Sequence, residues 1–115
     1  MGIVTTATDK FRNCVDACLK CTQACYECIG ECLKESDLNK RRKCISGLIE
    51  CAMMCQMSIA FMSMNSQDAY DHCELCGKIC KTCAMVCADM EVDHCKKCAE
   101  ICKMCADECI KMASI

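Results

Sequence analysis

The sequence predicts an all-α protein, an antiparallel up-down-up-down four-helix bundle with a cysteine-lined core. Three observations carry that prediction. Proline is absent from all 115 residues, and helix formers dominate. Cysteines recur at gaps of three and four through most of the chain, the 3.5-residue period of inward positions in packed helices. Short polar breaks of two to six residues separate the periodic segments, and such connections lay successive helices side by side in opposite directions.

The first helix is expected over residues 8–34, with Thr8 or Asp9 as its N-cap. It carries Cys14, Cys18, Cys21, Cys25, Cys28 and Cys32 on one stripe, about 27 Å long at 1.5 Å per residue. The second is expected over 37–64, capped by Ser36 or Asp37, and is sparser: Cys44, Cys51 and Cys55, with gaps around Gly47, Leu48 and Ser58. It is apolar around much of its circumference (Ile45, Leu48, Ile49, Ala52, Ile59, Phe61) and rich in methionine (Met53, Met54, Met57, Met62, Met64). A helix apolar on several sides is buried on several sides, so an adaptable methionine face at a subunit contact is the expectation. Asn65 stops this helix and Ser66 caps the third, over 66–89, which bears Cys73, Cys76, Cys80, Cys83 and Cys87. Asp93 opens the fourth, over 93–112, with Cys95, Cys98, Cys102, Cys105 and Cys109. Residues 1–115 read as one domain.

Composition narrows the function. A formal charge of −2, with 26% charged residues, offers no basic excess for nucleic acid. Nineteen Cys and ten Met stand beside two Phe, two Tyr and no Trp, so aromatic bulk does not fill the interior. Cysteine at this level ordinarily marks a secreted disulfide scaffold. The start, MGIVTTATDKFRN, lacks the basic and apolar regions of a secretory signal, and the odd count leaves one thiol over. Helical neighbours three or four apart hold their Cβ atoms about 5–6 Å apart, wider than the ~3.5–4.5 Å of a disulfide. A reducing cytosol is the expected compartment. The M-G-x-x-x-[ST] start matches a myristoylation pattern no better than chance. The most apolar run, 44–64, includes Glu50, Gln56 and several serines and reads as a buried helix, so no membrane partner is expected.

One buried cysteine is a small hydrophobe and needs no further role. A whole set of them is a poor core, because leucine would bury more area at about 25 cal/mol per Å². Something must occupy the space between the sulfurs, and soft thiolates select Cu(I), Zn(II) or iron–sulfur clusters. Zinc favours closed tetrahedral sites built from turns, though cysteines from facing helices could also surround an ion. Iron–sulfur clusters favour loop-borne runs that end in proline. Cu(I) accepts two sulfurs and lets each bridge onward, and one Cu(I) per thiolate keeps the core near neutral. The residues point to many Cu(I) ions, approaching one per cysteine, held by all nineteen thiols. An iron–sulfur redox protein and a metal-free thiol-redox buffer are the competing readings. Beyond Cys and two His there is no nucleophile–base pair, so an enzyme is not expected.

The repeated Cys-x2-Cys and Cys-x3-Cys pairs on four helices resemble the bacterial copper storage proteins over about residues 10–112. The resemblance implies a cytosolic member of that family, a homotetramer that holds Cu(I) inside the bundle, buffers copper and admits it at one end. A copper carrier is a possible partner. The sparse second helix departs from the pattern.

The antiparallel order puts Cys32, Cys44, Cys87, Met90, His94 and Cys95 at one end, near the basic run 40–43, and Phe11, Phe61, Met62, His72 and Met112 at the other. His94 and Met90 are candidate weak, exchangeable ligands. Family likeness makes their end the entrance and the Phe11 end an apolar plug. The basic run reads as a solvated face.

Overall fold

In the computed structural model, which describes residues 2–115, a 3-10 turn at Asp9–Phe11 leads into four helices: α1 Arg12–Leu33, α2 Leu38–Ser63, α3 Ala69–Ala88 and α4 Asp93–Ala113. Each helix packs on its neighbours in chain order, and α1 closes the ring on α4. Thiol contacts fix the directions. Cys14 at the start of α1 meets Cys109 near the end of α4 at 3.6 Å, whereas Cys32 at the end of α1 meets Cys95 at the start of α4 at 3.7 Å.

The capping of the helix starts differs from that expected. None of the four α-helices has a side-chain cap hydrogen bond. Thr8 precedes only the 3-10 turn, and Phe11, fully buried, stands at the N-cap of α1. Asp37 does hold the N-cap position of α2, but its carboxylate accepts from Arg41 Nε at 2.6 Å rather than from the backbone. Ser66 spends its groups on a turn, with Oγ accepting from Asp68 N and its carbonyl from Ala69 N, both at 3.1 Å, so α3 begins three residues later. Val92, extended at φ −119° and ψ 146°, precedes α4, and Asp93 is the first helical residue.

Asn65 is the stop the sequence indicates. Its φ of 53° is left-handed, its N–H bonds Met62 O and that of Ser66 bonds Phe61 O, each at 3.0 Å. That pair of bonds is the Schellman closure, which satisfies carbonyls left open at a helix end.

Every one of the nineteen cysteines is buried. The gaps of α2 are chemical rather than geometric. Its inward stripe runs Arg41, Cys44, Leu48, Cys51, Cys55, Ser58, Met62, all buried, on the same alternation of three and four. Gly47 lies off that stripe with open space above it. The outer face of α2 is not buried: Ile49, Met53, Met57 and Met64 are exposed. By length and composition α2 could cross a membrane, but only a third (33%) of its most apolar window is buried, on the face turned to the bundle.

Candidate metal centre

The 3.5-residue register turns one stripe of each helix inward, so sulfurs from all four helices meet along the axis. Cys21, Cys55, Cys80 and Cys105 come one from each helix and form one group, and Cys21, Cys25, Cys51 and Cys102 form the next. Cys14, Cys18 and Cys109 form a third and Cys18, Cys55 and Cys76 a fourth, the ligand atoms of each group lying within 4.8 Å of one another. Neighbouring groups share Cys18, Cys21 and Cys55. Individual contacts are close: Cys51 to Cys80 at 3.3 Å, Cys21 to Cys51 at 3.6 Å, Cys55 to Cys80 at 3.7 Å and Cys55 to Cys105 at 3.8 Å.

A four-thiol group suits tetrahedral zinc by ligand type. Shared sulfurs join the groups into one bridged system, which one monovalent Cu(I) per thiolate would leave neutral and divalent zinc at that ratio would leave strongly positive. Cys83, Cys87 and Cys44 continue the line at contacts of 4.0 and 3.5 Å, and Cys98 joins through Cys102 at 3.9 Å. Cys73 lies outside these groups. Its thiol is pushed up by Cys14 and by burial.

Hydrogen-bond sharing sorts the thiols. Cys44, bonded with Cys87, is lowered to about 7, Cys51 beside Cys102 is lowered to about 7, and Cys109 beside Cys105 to about 6. Their partners move the other way: Cys87, Cys102 and Cys105 are all pushed up. Burial is the main cause that takes Cys95 up to about 12. Thiols held up in this way are protonated at neutral pH, so a metal must displace their protons on binding.

At the end where α1 finishes and α4 begins, Cys28, Cys32, His94 and Cys95 converge. His94 Nδ1 lies 3.5 Å from Cys28 Sγ and 3.6 Å from Cys95 Sγ. Glu35 Oε1 stands 3.6 Å from His94 Nε2 on the other side of the ring, beyond hydrogen-bond length. A groove of about 490 Å³ between α1 and α4 has Ala24, Cys28, His94 and Cys98 on its walls. Met90, half-buried in the α3–α4 connection, packs against the core.

One expectation fails here. Lys40, Arg42 and Lys43 are solvated, but Arg41 is only 3% exposed, and its Nη1 points at Cys32 Sγ at 3.8 Å and Cys95 Sγ at 4.0 Å. Residue type suggested a surface face, and register explains the outcome: position 41 is one step of three before Cys44 on the inward stripe. Glu35, likewise three beyond Cys32, was the other residue the register could have singled out.

The second histidine is differently placed. His72 Nδ1 bonds the buried Ser58 Oγ at 3.1 Å, and its ring stacks on Phe61 at 4.5 Å. No thiol joins it in a group among the described residues.

Residues 7–114 match the family model for copper storage proteins. The solved Cu(I)-bound copper storage protein BsCsp3 is 36% identical, with a TM-score of 0.86 over 90% of this chain and 97% of that one. Apo-Csp3 from Bacillus subtilis is 35% identical, with a TM-score of 0.85 over 90% and 98%. A cytosolic copper storage protein from Streptomyces lividans, loaded with five coppers, is 28% identical, with a TM-score of 0.89 over 95% and 96%. Among curated relatives, the cysteine-rich protein YhjQ of Bacillus subtilis is 37% identical over 74 residues, 64% of this chain and 68% of that protein.

Proposed function

The chain belongs to the copper storage protein family, and we infer from that membership and its thiol core that it binds and stores many Cu(I) ions. The observation that carries the reading is the sharing of Cys18, Cys21 and Cys55 between buried thiol groups, which makes the interior one bridged system rather than separate sites. Capacity approaches one Cu(I) per cysteine, since that ratio leaves the interior neutral. All nineteen cysteines are the ligands, with His94 and Met90 as exchangeable donors at the mouth. The whole chain acts as one copper-binding domain with a storage rather than catalytic role, and buffers copper in the cytosol.

The bundle assembles as a homotetramer with α2 at a contact. The exposed stripe of Ile49, Met53 and Met57 supports that assembly, since apolar area of this kind is stabilised by covering it. Copper carriers meet the assembly at the His94 end.

Anaerobic titration of the reduced chain with Cu(I) tests the reading. Near-ultraviolet thiolate–copper absorption should rise toward one equivalent per cysteine without visible colour. Saturation at two or three equivalents would refute storage.

A further inference from the structure

The central thiol groups are lined by sulfur alone, whereas the mouth group has a cation built against it. Arg41 Nη1 reaches both Cys32 and Cys95, and Asp37 Oδ1 anchors Nε at 2.6 Å. We propose that Arg41 is the fixed counter-ion of a mouth station, which lets Cys32 and Cys95 hold a lone Cu(I) as an anionic bis-thiolate complex before the ion moves inward. The inference rests on the copper-storage reading above.

Charge carries the argument. When one Cu(I) binds between these two thiols, each S–H gives its proton to solvent, two Cu–S bonds form, and the complex bears one net negative charge. A buried net charge is unfavourable unless it is paired. The deep core resolves this by filling, because equal numbers of Cu(I) and thiolate cancel. A single ion arriving first at the mouth has no such recourse, and the guanidinium supplies the missing positive charge. Thiol sulfur is a weak acceptor and thiolate a strong one, so the two Arg41 contacts strengthen only when metal is bound.

The surroundings fit a station. Cys95 contacts Cys28 and Cys32 at 3.7 Å each, and His94 Nδ1 lies 3.5 Å from Cys28 and 3.6 Å from Cys95. Contacts of Cys28 with Cys87 and Cys98, and of Cys95 with Cys44, join them to the main line of sulfurs and give an ion a way inward. His94 Nδ1 lies close enough to be a third ligand atom. Asp37 is 40% exposed, so water screens its charge while Arg41, 4% exposed at the side chain, keeps its own directed inward. The planar fork lets Arg41 hold Asp37 through Nε while Nη1 faces the sulfurs, and lysine would keep the charge without that second hold. A plain i,i+4 ion pair on the helix surface would leave Nη1 in water; here it faces the ligands.

The test is stopped-flow loading of the full reduced chain under anaerobic conditions. Cu(I) is supplied as its cationic acetonitrile complex, which a surface cation would repel rather than steer, and thiolate–copper absorption is followed. A lone ion at the mouth is a pre-equilibrium intermediate, so uptake at low copper scales with its stability. Arg41→Met should slow the first phase by about tenfold or more, the worth of one lost charge-assisted hydrogen bond. Final capacity should remain within one equivalent of wild type. Arg41→Lys should recover much of the rate, and Asp37→Asn should slow it by a smaller factor. Arg41→Met loading as fast as wild type or faster, or Arg41→Lys as slow as Arg41→Met, would overturn the counter-ion. Should Arg41→Met lose its helical circular dichroism, Asp37→Asn decides, and wild-type loading in that variant refutes the proposal. Equal rates with full capacity refute the counter-ion alone; a wild type that saturates at two or three equivalents refutes storage itself.

Discussion

The two ends of the bundle continue one register with opposite chemistry. Past the last cysteines at one end, the inward positions are Phe11, Met62, Ala69 and Met112, all apolar and buried. At the other end they are Glu35, Arg41 and Met90, beside His94. The two histidines show how much that matters. Each sits in the triplet Asp-His-Cys near a helix start, yet His94 Nδ1 faces two thiols while His72 Nδ1 bonds Ser58 and its ring lies on Phe61. The triplet therefore carries no function by itself. What decides is the end at which its helix begins, and alternating helix direction sends α3 and α4 to opposite ends.

The largest effect should come from breaking the apolar end. Phe11 is fully buried, lies 5.6 Å from the Tyr70 ring, and is one of few large side chains in a core of small thiols. Phe11→Ala should destabilise the metal-free chain by about 3–5 kcal/mol, seen in thermal or urea unfolding. Copper uptake should keep its rate, because a plug that loosens does not become a ligand site. Faster uptake in Phe11→Ala would mean that copper can use this end too, and the contrast between the ends would collapse.

A paired substitution tests the histidines directly. His94→Ala should slow initial copper loading about tenfold, the scale of one lost interaction of about 1.4 kcal/mol. His72→Ala should leave loading unchanged and instead lower stability by about 1–3 kcal/mol, because the buried Ser58 hydroxyl loses its partner. Equal loading in both variants would remove the distinction drawn from their surroundings.

These contrasts also show what was legible in the sequence. Spacing alone placed every cysteine inward, because a 3.5-residue period has one geometric meaning on a helix. Asn65 was legible as a stop because few residues accept its left-handed backbone. The capping bonds were not, since Ser66 and Asp37 each had a competing local partner for the same oxygen. Arg41 was missed because residue type outvoted register within a run of four cations. The missing thiols of α2 looked like gaps, although Leu48 and Ser58 occupy those positions with other chemistry.

Ser58 offers a smaller, sharper test. It lies fully buried on the α2 stripe, three positions beyond Cys55 and toward the apolar end. Ser58→Cys would restore the unbroken rhythm there. If capacity follows the number of inward thiols, saturation should rise by up to one equivalent while the loading rate stays as in wild type. Unchanged capacity would show that copper stops short of the apolar end, which would sharpen the contrast rather than remove it.

The smallest effect concerns whether register or mere proximity defines the mouth. Gly47 is one turn from Cys44 but off the inward stripe, and a Cβ there meets nothing within 4 Å. It lines a groove of about 370 Å³ between α2 and α3 with Cys83 on its wall, Cys83 itself being 2% exposed. Gly47→Ala should stabilise the chain by up to about 1 kcal/mol, the difference in helix propensity, and shift the unfolding midpoint upward. Gly77→Ala is the contrasting case, since its Cβ would lie 2.9 Å from Ile110 Cγ1, an atom bonded to the stiff branched Cβ, so Ile110 must shift and the gain should shrink or vanish. Neither should alter copper uptake if ions pass only the His94 end. Slower loading in Gly47→Ala, with stability raised as expected, would mean that the added methyl narrows a lateral path to Cys83, and the bundle would then have a side window as well as a mouth.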